Sequence, residues 1–202
     1  MTHILHIDSS PRSERSISRL LTKEFITAWK QAYKHDTVTY RDIGHYVIPP
    51  IDETWIAAAF SRSRELSPEL EAALKISDEL IDELLAADLC VFGVPMYNYS
   101  IPANFKAYID QIVRVKRTFT VGQDGYEGLV KDKKILVITT RGGTYSNSQL
   151  DFQEPYLRAI FELIGITDIT FIHAENLSMG DENRQQSIAA VSDVIQEFVA
   201  RN

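Results

Sequence analysis

Two patterns of apolar residues alternate along the chain. Short β-like runs occur at Ile4 to Ile7, Thr37 to Tyr40, Leu89 to Val94, Lys134 to Thr139 and Asp168 to His173. The run Leu89-Cys90-Val91-Phe92-Gly93-Val94 is continuously apolar, as a strand covered on both faces should be. Helical periodicity separates these runs. It spans about Ser16 to Tyr33, Phe105 to Ile112, about Pro155 to Ile164 with Gly165 as the stop, and roughly Arg184 to Arg201. Five such βα units predict an α/β fold, a doubly wound five-stranded parallel sheet with helices on both faces. No repeat, low-complexity tract or Gly/Pro-rich linker divides the chain, so residues 1–202 are expected to form one domain.

Two segments exceed a minimal five-strand plan. Pro49 to Ala87 holds a short apolar piece with Trp55 and Phe60, then a long helix. Ser67 can cap that helix, Pro68 takes its first position, and Glu69 and Glu71 face the positive end of its dipole. Asp78, Glu79, Asp82 and Glu83 read as its solvated face. Arg117 to Leu129 alternates into Gln123-Asp124-Gly125, which predicts a small hairpin. Extra segments at the ligand end of such a sheet commonly form lids and partner contacts.

Three loops could carry chemistry. The first, Asp8 to Ser18, holds five serines before a helix, where hydroxyls and backbone N–H groups can bind a phosphate or simply cap the helix. The second, Val94-Pro95-Met96-Tyr97-Asn98-Tyr99-Ser100, offers aromatic and amide groups after the buried strand. The third, Thr140-Arg141-Gly142-Gly143, has adjacent glycines that either let a flat ligand approach the backbone or make a tight turn. With a strand order of 2-1-3-4-5, all three converge on one crevice at the strand ends. The second loop supplies no acid–base pair, metal cluster or activated nucleophile. Flat side chains and backbone amides suit a large planar cofactor that brings its own chemistry. Neither a Gly-x-Gly-x-x-Gly nor a Gly-Lys-Ser/Thr motif is present.

Composition narrows the reading further. The net charge is −7, which argues against a nucleic-acid partner. The single cysteine, Cys90, lies inside the buried run and reads as a packing residue. No apolar run is long enough to span a bilayer, and the N-terminal residues lack a signal-peptide pattern, so a cytoplasmic location is expected. The five histidines lack metal-ligand spacing. Asp8 ends a strand and could act either in the site or as a cap.

The chain resembles the FMN-dependent NADH-azoreductase family of flavodoxin-like NAD(P)H:quinone oxidoreductases. The resemblance rests on Ser9-Ser10 with Ser16-Ile17-Ser18, on Pro95-Met96-Tyr97-Asn98-Tyr99, and on Leu129-Val130 leading into Lys133-Lys134-Ile135. Thr140-Arg141-Gly142-Gly143 and Phe161 to Asp168 extend it over nearly the whole chain. It implies a homodimer that holds FMN without covalent attachment and reduces quinones and azo compounds with NADH in alternating half-reactions. By position, Ser10, Ser16, Ile17 and Ser18 would bind the phosphate. Met96 to Tyr99, preceded by Pro95, and Thr140 to Gly143 would hold the isoalloxazine ring. Pro11, Arg12 and Arg15 in the first loop, and Pro102 in the second, depart from the pattern.

The protein's task in such a mechanism is orientation and electrostatics. Backbone donors near Asn98 and Gly142 are expected at the ring edge. Phe119 and Tyr126 are expected to contact the acceptor. For all four of Phe119, Tyr126, Trp55 and Phe60 the competing role is core or interface packing, and for Trp55 and Phe60 packing is the favoured one. Two other readings stand beside this one: a single-electron carrier like flavodoxin, and a non-catalytic phosphate-binding module.

Overall fold

The computed structural model describes every residue except Arg64 and Asp124. Five parallel strands form the central sheet: β1 (His3–Asp8), β2 (Thr37–Asp42), β3 (Leu89–Pro95), β6 (Lys134–Thr140) and β7 (Asp168–Ala174). Their order is β2-β1-β3-β6-β7. This is the predicted 2-1-3-4-5 order once the hairpin strands β4 (Phe119–Gly122) and β5 (Gly125–Gly128) are set aside. Asp124, in the predicted hairpin turn, lies outside the described residues. The helices are α1 (Ile17–Ala32), α2 (Glu53–Ala59), α3 (Pro68–Ala86), α4 (Ala103–Ile112), α5 (Glu154–Ile164) and α6 (Asp181–Arg201).

Side-chain alternation splits the core into two layers. Leu5, Ile7, Phe92 and Val137 face α3, α4 and α5, while Ile4, Val91, Leu136 and Ile138 face α1 and α6. Every residue of β3 is buried, as its apolar sequence predicts. Cys90 belongs to this packing, and burial pushes its thiol up to about 12, so it is no nucleophile.

Helix ends follow local chemistry. The Ser67 hydroxyl accepts from Leu70 N, and Pro68 opens α3. Gly165 ends α5 at φ +104°, a left-handed conformation that favours glycine. It must also be small, because the return strand of the hairpin seats on it. A Cβ on Gly128 would lie 2.1 Å from Gly165 N.

One expectation needs correcting here and one is decided. Asp78, Glu79, Asp82 and Glu83 are not a free solvated face. Arg41 pairs with Glu79 and Glu83, and Arg114 and Arg117 pair with Asp78, with Arg117 also reaching Asp82. Trp55 takes the packing role: it is buried with Ala58, Ala59 and Leu74, and its indole donates to Gln111 Oε1 at 2.8 Å. Phe60 does remain exposed.

Candidate functional site

The first loop runs from the end of β1 to the start of α1. Ser9 is locked under it, since both its N–H and its hydroxyl donate to Gly93 O. Ser16 caps α1, accepting from Arg19 N, and its hydroxyl lies 3.1 Å from that of Ser18. The Ile17 and Ser18 N–H groups meet no protein acceptor among the described residues. They are the orphan donors of a helix N-terminus, where an anion is favoured.

Arg19 holds this loop from behind. Its Nε and Nη2 donate to Ser10 O at 3.0 and 2.7 Å, and the same guanidinium pairs with Asp42. Burial works against the Asp42 charge, but Arg19 and His45 overcome it and hold its pKa down at about 2. Gly44 completes the clamp, because a Cβ there would sit 2.0 Å from Ser10 O. Asp8 also works behind the loop. It accepts from the Thr22 and Tyr40 hydroxyls, and neither partner lines the site.

The second loop closes on itself. Tyr97 N and Ser100 O, and Ser100 N and Tyr97 O, pair at 2.9 and 3.0 Å. Asn98 and Tyr99 stand at φ 49° and 68° between them. Asn tolerates this conformation, whereas a tyrosine there costs about 1–2 kcal/mol. The turn leaves the Asn98 N–H without a protein acceptor among the described residues. Met96 N donates to Thr140 O, which joins the second loop to the third.

The third loop turns on Arg141. Its side chain is fully buried and pairs with Asp151 Oδ2 at 2.9 Å and Glu175 Oε1 at 3.3 Å. Nε donates to Gln153 Oε1, whose amide donates to Val94 O. Glu175 also accepts from Tyr145 N and Ser146 N, both at 2.8 Å. The guanidinium therefore ties β3 to the loops after β6 and β7. The Gly142 and Gly143 N–H groups meet no protein acceptor among the described residues. Neither glycine needs a positive φ. Gly142 instead leaves room for Ser178, whose Oγ would be 3.0 Å from an added Cβ.

These loops enclose a cavity of about 650 Å³ at the carboxyl ends of the strands. Ser10, Ser16, Ile17, Pro95, Met96, Tyr97, Thr140, Arg141 and Gly142 of the predicted set line it. Ser18, Asn98, Tyr99 and Gly143 flank it without lining it. Sequence reading missed Leu177, Ser178, Arg184 and Ile188, which close one side from the loop before α6 and from its first turns. Arg12 and Arg15 also line the cavity. A groove of similar size between α1 and β2, lined by His6, Tyr40 and neighbours, lies at the sheet edge, away from the ring loops.

Phe119 and Tyr126 do not line the cavity of their own chain. Their rings meet edge to face at 5.9 Å, and Tyr126 is 71% exposed. Phe119 pairs with Gly128, which seats on Gly165 at the junction of α5 and β7. The base of the hairpin is thus rooted where the strands begin, not at the ligand end where its lid role placed it.

Comparison with known proteins fits this geometry. The family model described as a flavodoxin-like fold matches residues 2–199, which sets the class. Within that class the chain belongs to the FMN-dependent NADH:quinone oxidoreductases. FMN-dependent NADH:quinone oxidoreductase 1 of Trichormus variabilis is 66% identical over 196 residues, covering 97% of this chain and 95% of that one. The FMN-dependent NADH:quinone oxidoreductase of a Nostoc species is 59% identical, with 99% of each chain covered. Among solved structures, an azoreductase from Bacillus anthracis superposes with a TM-score of 0.91 at 27% identity over 100% of both chains. An FMN-dependent NADH-azoreductase from the same species, in complex with FMN, gives 0.86 at 26% identity over 98% of this chain and 100% of that one.

Proposed function

We propose that residues 1–202 form one flavodoxin-like domain that binds FMN without covalent attachment and reduces quinones and azo compounds with NADH. One observation carries the reading. N–H groups without protein acceptors among the described residues, from Ile17, Ser18, Asn98, Gly142 and Gly143, belong to the three loops whose Ile17, Tyr97 and Gly142 line one cavity. The donor set fits the cofactor. The α1 N-terminus with the Ser10 and Ser16 hydroxyls takes the phosphate, and Ser18 braces Ser16. Pro95 to Tyr99 and Thr140 to Gly143 hold the ring, with Arg141 acting through its buried ion pairs.

When bound, the flavin supplies the two-electron redox chemistry. The chain supplies position. Donors already fixed at the ring edge stabilise charge that develops there without reorganising. NADH and the acceptor use the same open face in turn, so initial-rate lines at several acceptor concentrations are expected to be parallel. Intersecting lines would remove the shared site.

A second copy completes the site in this reading. Tyr46, Val47, Tyr99, Phe152 and Tyr126 are all exposed. Two-fold pairing is the commonest way to cover such surface. Phe119 and Tyr126, remote from their own cavity, would then contact the acceptor in the partner's. No described helix is long and apolar enough to cross a membrane, and we place the enzyme in the cytoplasm.

The deciding experiment is a spectrum of the purified protein with FMN, followed by NADH without acceptor. Bleaching of the bound flavin supports the enzyme. A flavin that binds but does not bleach supports the flavodoxin-like carrier, and a colourless protein supports a phosphate-binding module.

A further inference from the structure

The chain carries a net charge of −7, yet the described lining of the cavity contains no acidic residue and four arginines: Arg141, whose charge is balanced by Asp151 and Glu175, and Arg12, Arg15 and Arg184. Arg12 and Arg15 have no ion-pair partner among the described residues. Arg184 is held by a backbone contact, Nε donating to Leu177 O at 3.0 Å, and its one carboxylate partner among the described residues is the solvent-exposed Asp181 at 3.7 Å. These last three arginines thus belong to the first loop and to the first turn of α6.

The flavin phosphate already has its donors in this reading: the Ile17 and Ser18 N–H groups and the Ser10 and Ser16 hydroxyls. Three further positive charges exceed what one phosphate dianion needs. The reductant is a second dianion, and it must approach a protein whose overall charge repels it. A local positive rim reverses that repulsion at the point of entry. Quinone acceptors are neutral and gain nothing from it. We propose that Arg12, Arg15 and Arg184 form a subsite for the diphosphate bridge of the nicotinamide dinucleotide, distinct from the phosphate site of the flavin. This rests on the oxidoreductase reading above.

Alternating half-reactions let each substrate be read separately, since kcat/KM for NADH and for the quinone report different encounters. In Arg184→Gln and in the double variant Arg12→Gln/Arg15→Gln, kcat/KM for NADH should fall by about tenfold or more, the size of one lost charged hydrogen bond. The value for a neutral quinone and the flavin content should hold. The NADH value should also fall steeply with salt in the parent protein and weakly in the variants. ADP-ribose, which carries the diphosphate but no nicotinamide, should bind the FMN-loaded parent in calorimetry and bind the variants more weakly. Loss of flavin with an unchanged NADH value would assign the arginines to the cofactor phosphate and overturn the proposal. Equal losses for both substrates, or no change in either, would overturn it too. Failure of the parent to be bleached by NADH would instead overturn the underlying function.

Discussion

The phosphate loop and the ring loops are each held from behind by one arginine, in opposite ways. Arg19 grips a backbone carbonyl, Ser10 O, and shares Asp42 with His45 near the surface, its side chain 13% exposed. Arg141 has no exposed side-chain surface and grips only side chains, and its Nη2 has no partner. The first clamp sets the height of one loop and can exchange partners with water. The second is a buried charge balanced by two carboxylates, each of which also holds backbone N–H groups. Position is adjustable in the first region and all-or-none in the second.

Removing Arg141 should therefore have the largest effect. Arg141→Met leaves Asp151 and Glu175 without their counter-charge, and breaking a buried pair in this way costs about 3–5 kcal/mol. Denaturant unfolding measures it. Arg19→Met should cost clearly less, because water replaces part of what is lost. Equal losses would break the comparison. Arg141→Lys restores the charge without the planar fork and should recover only part of the stability.

Gly44→Ala tests the first clamp alone. The added methyl group meets a backbone oxygen, which cannot swing away as a flexible side chain can. Forcing the loop should cost about 1–3 kcal/mol of stability. It should also weaken FMN binding, measured by quenching of flavin fluorescence, since Ser10 moves with its carbonyl. Gly142→Ala meets only the Ser178 hydroxyl and should disturb less. An unchanged FMN affinity in Gly44→Ala would disconnect the clamp from the phosphate.

Sequence reading succeeded where the determinants are local. Ser67-Pro68 opened a helix and Gly165 closed one because capping and a left-handed turn need only near neighbours. Strand order followed from the βα alternation and a topological rule. It failed where partners are distant in the chain. The carboxylates of α3 read as solvated because nothing near them announces Arg41, Arg114 or Arg117, some 30–40 residues away. The buried ion pairs of Arg141 went unseen because no local signal announces Asp151 or Glu175. The wall formed by Leu177, Ser178, Arg184 and Ile188 went unseen because α6 begins at Asp181, before its apolar periodicity starts. The acidic pair Asp181-Glu182 in its first turn was the available sign of that start.

Acid should separate the two clamps more gently. Asp42 has a pKa of about 2 in the folded chain against an ordinary 3.8. On acidification the unfolded chain takes up its proton first, so this carboxylate stabilises the fold above about pH 4 and loses that contribution as pH falls toward 2. The loss is no more than about 2 kcal/mol. Asp42→Asn should remove this part of the acid dependence. An unchanged slope between pH 4 and 2 would show that the Arg19 clamp does not depend on the charge.

The smallest effect on stability is expected at the hairpin, which belongs to neither clamp. Tyr126 is largely exposed, and truncating such a side chain usually changes stability by less than about 0.5 kcal/mol. Its base is rooted on Gly165, so Tyr126→Ala leaves the phosphate and ring loops of its own chain untouched and should not release the flavin. If a partner's hairpin walls the acceptor side, the variant should still shift kcat/KM between a bulky azo dye and a small quinone. Sedimentation of the FMN-loaded protein at micromolar concentration gives the other half of the test. A stable, active monomer would leave Tyr126 with no site to reach. A dimer in which Tyr126→Ala loses flavin but keeps its acceptor preference would place the hairpin against the cofactor's support instead of the acceptor.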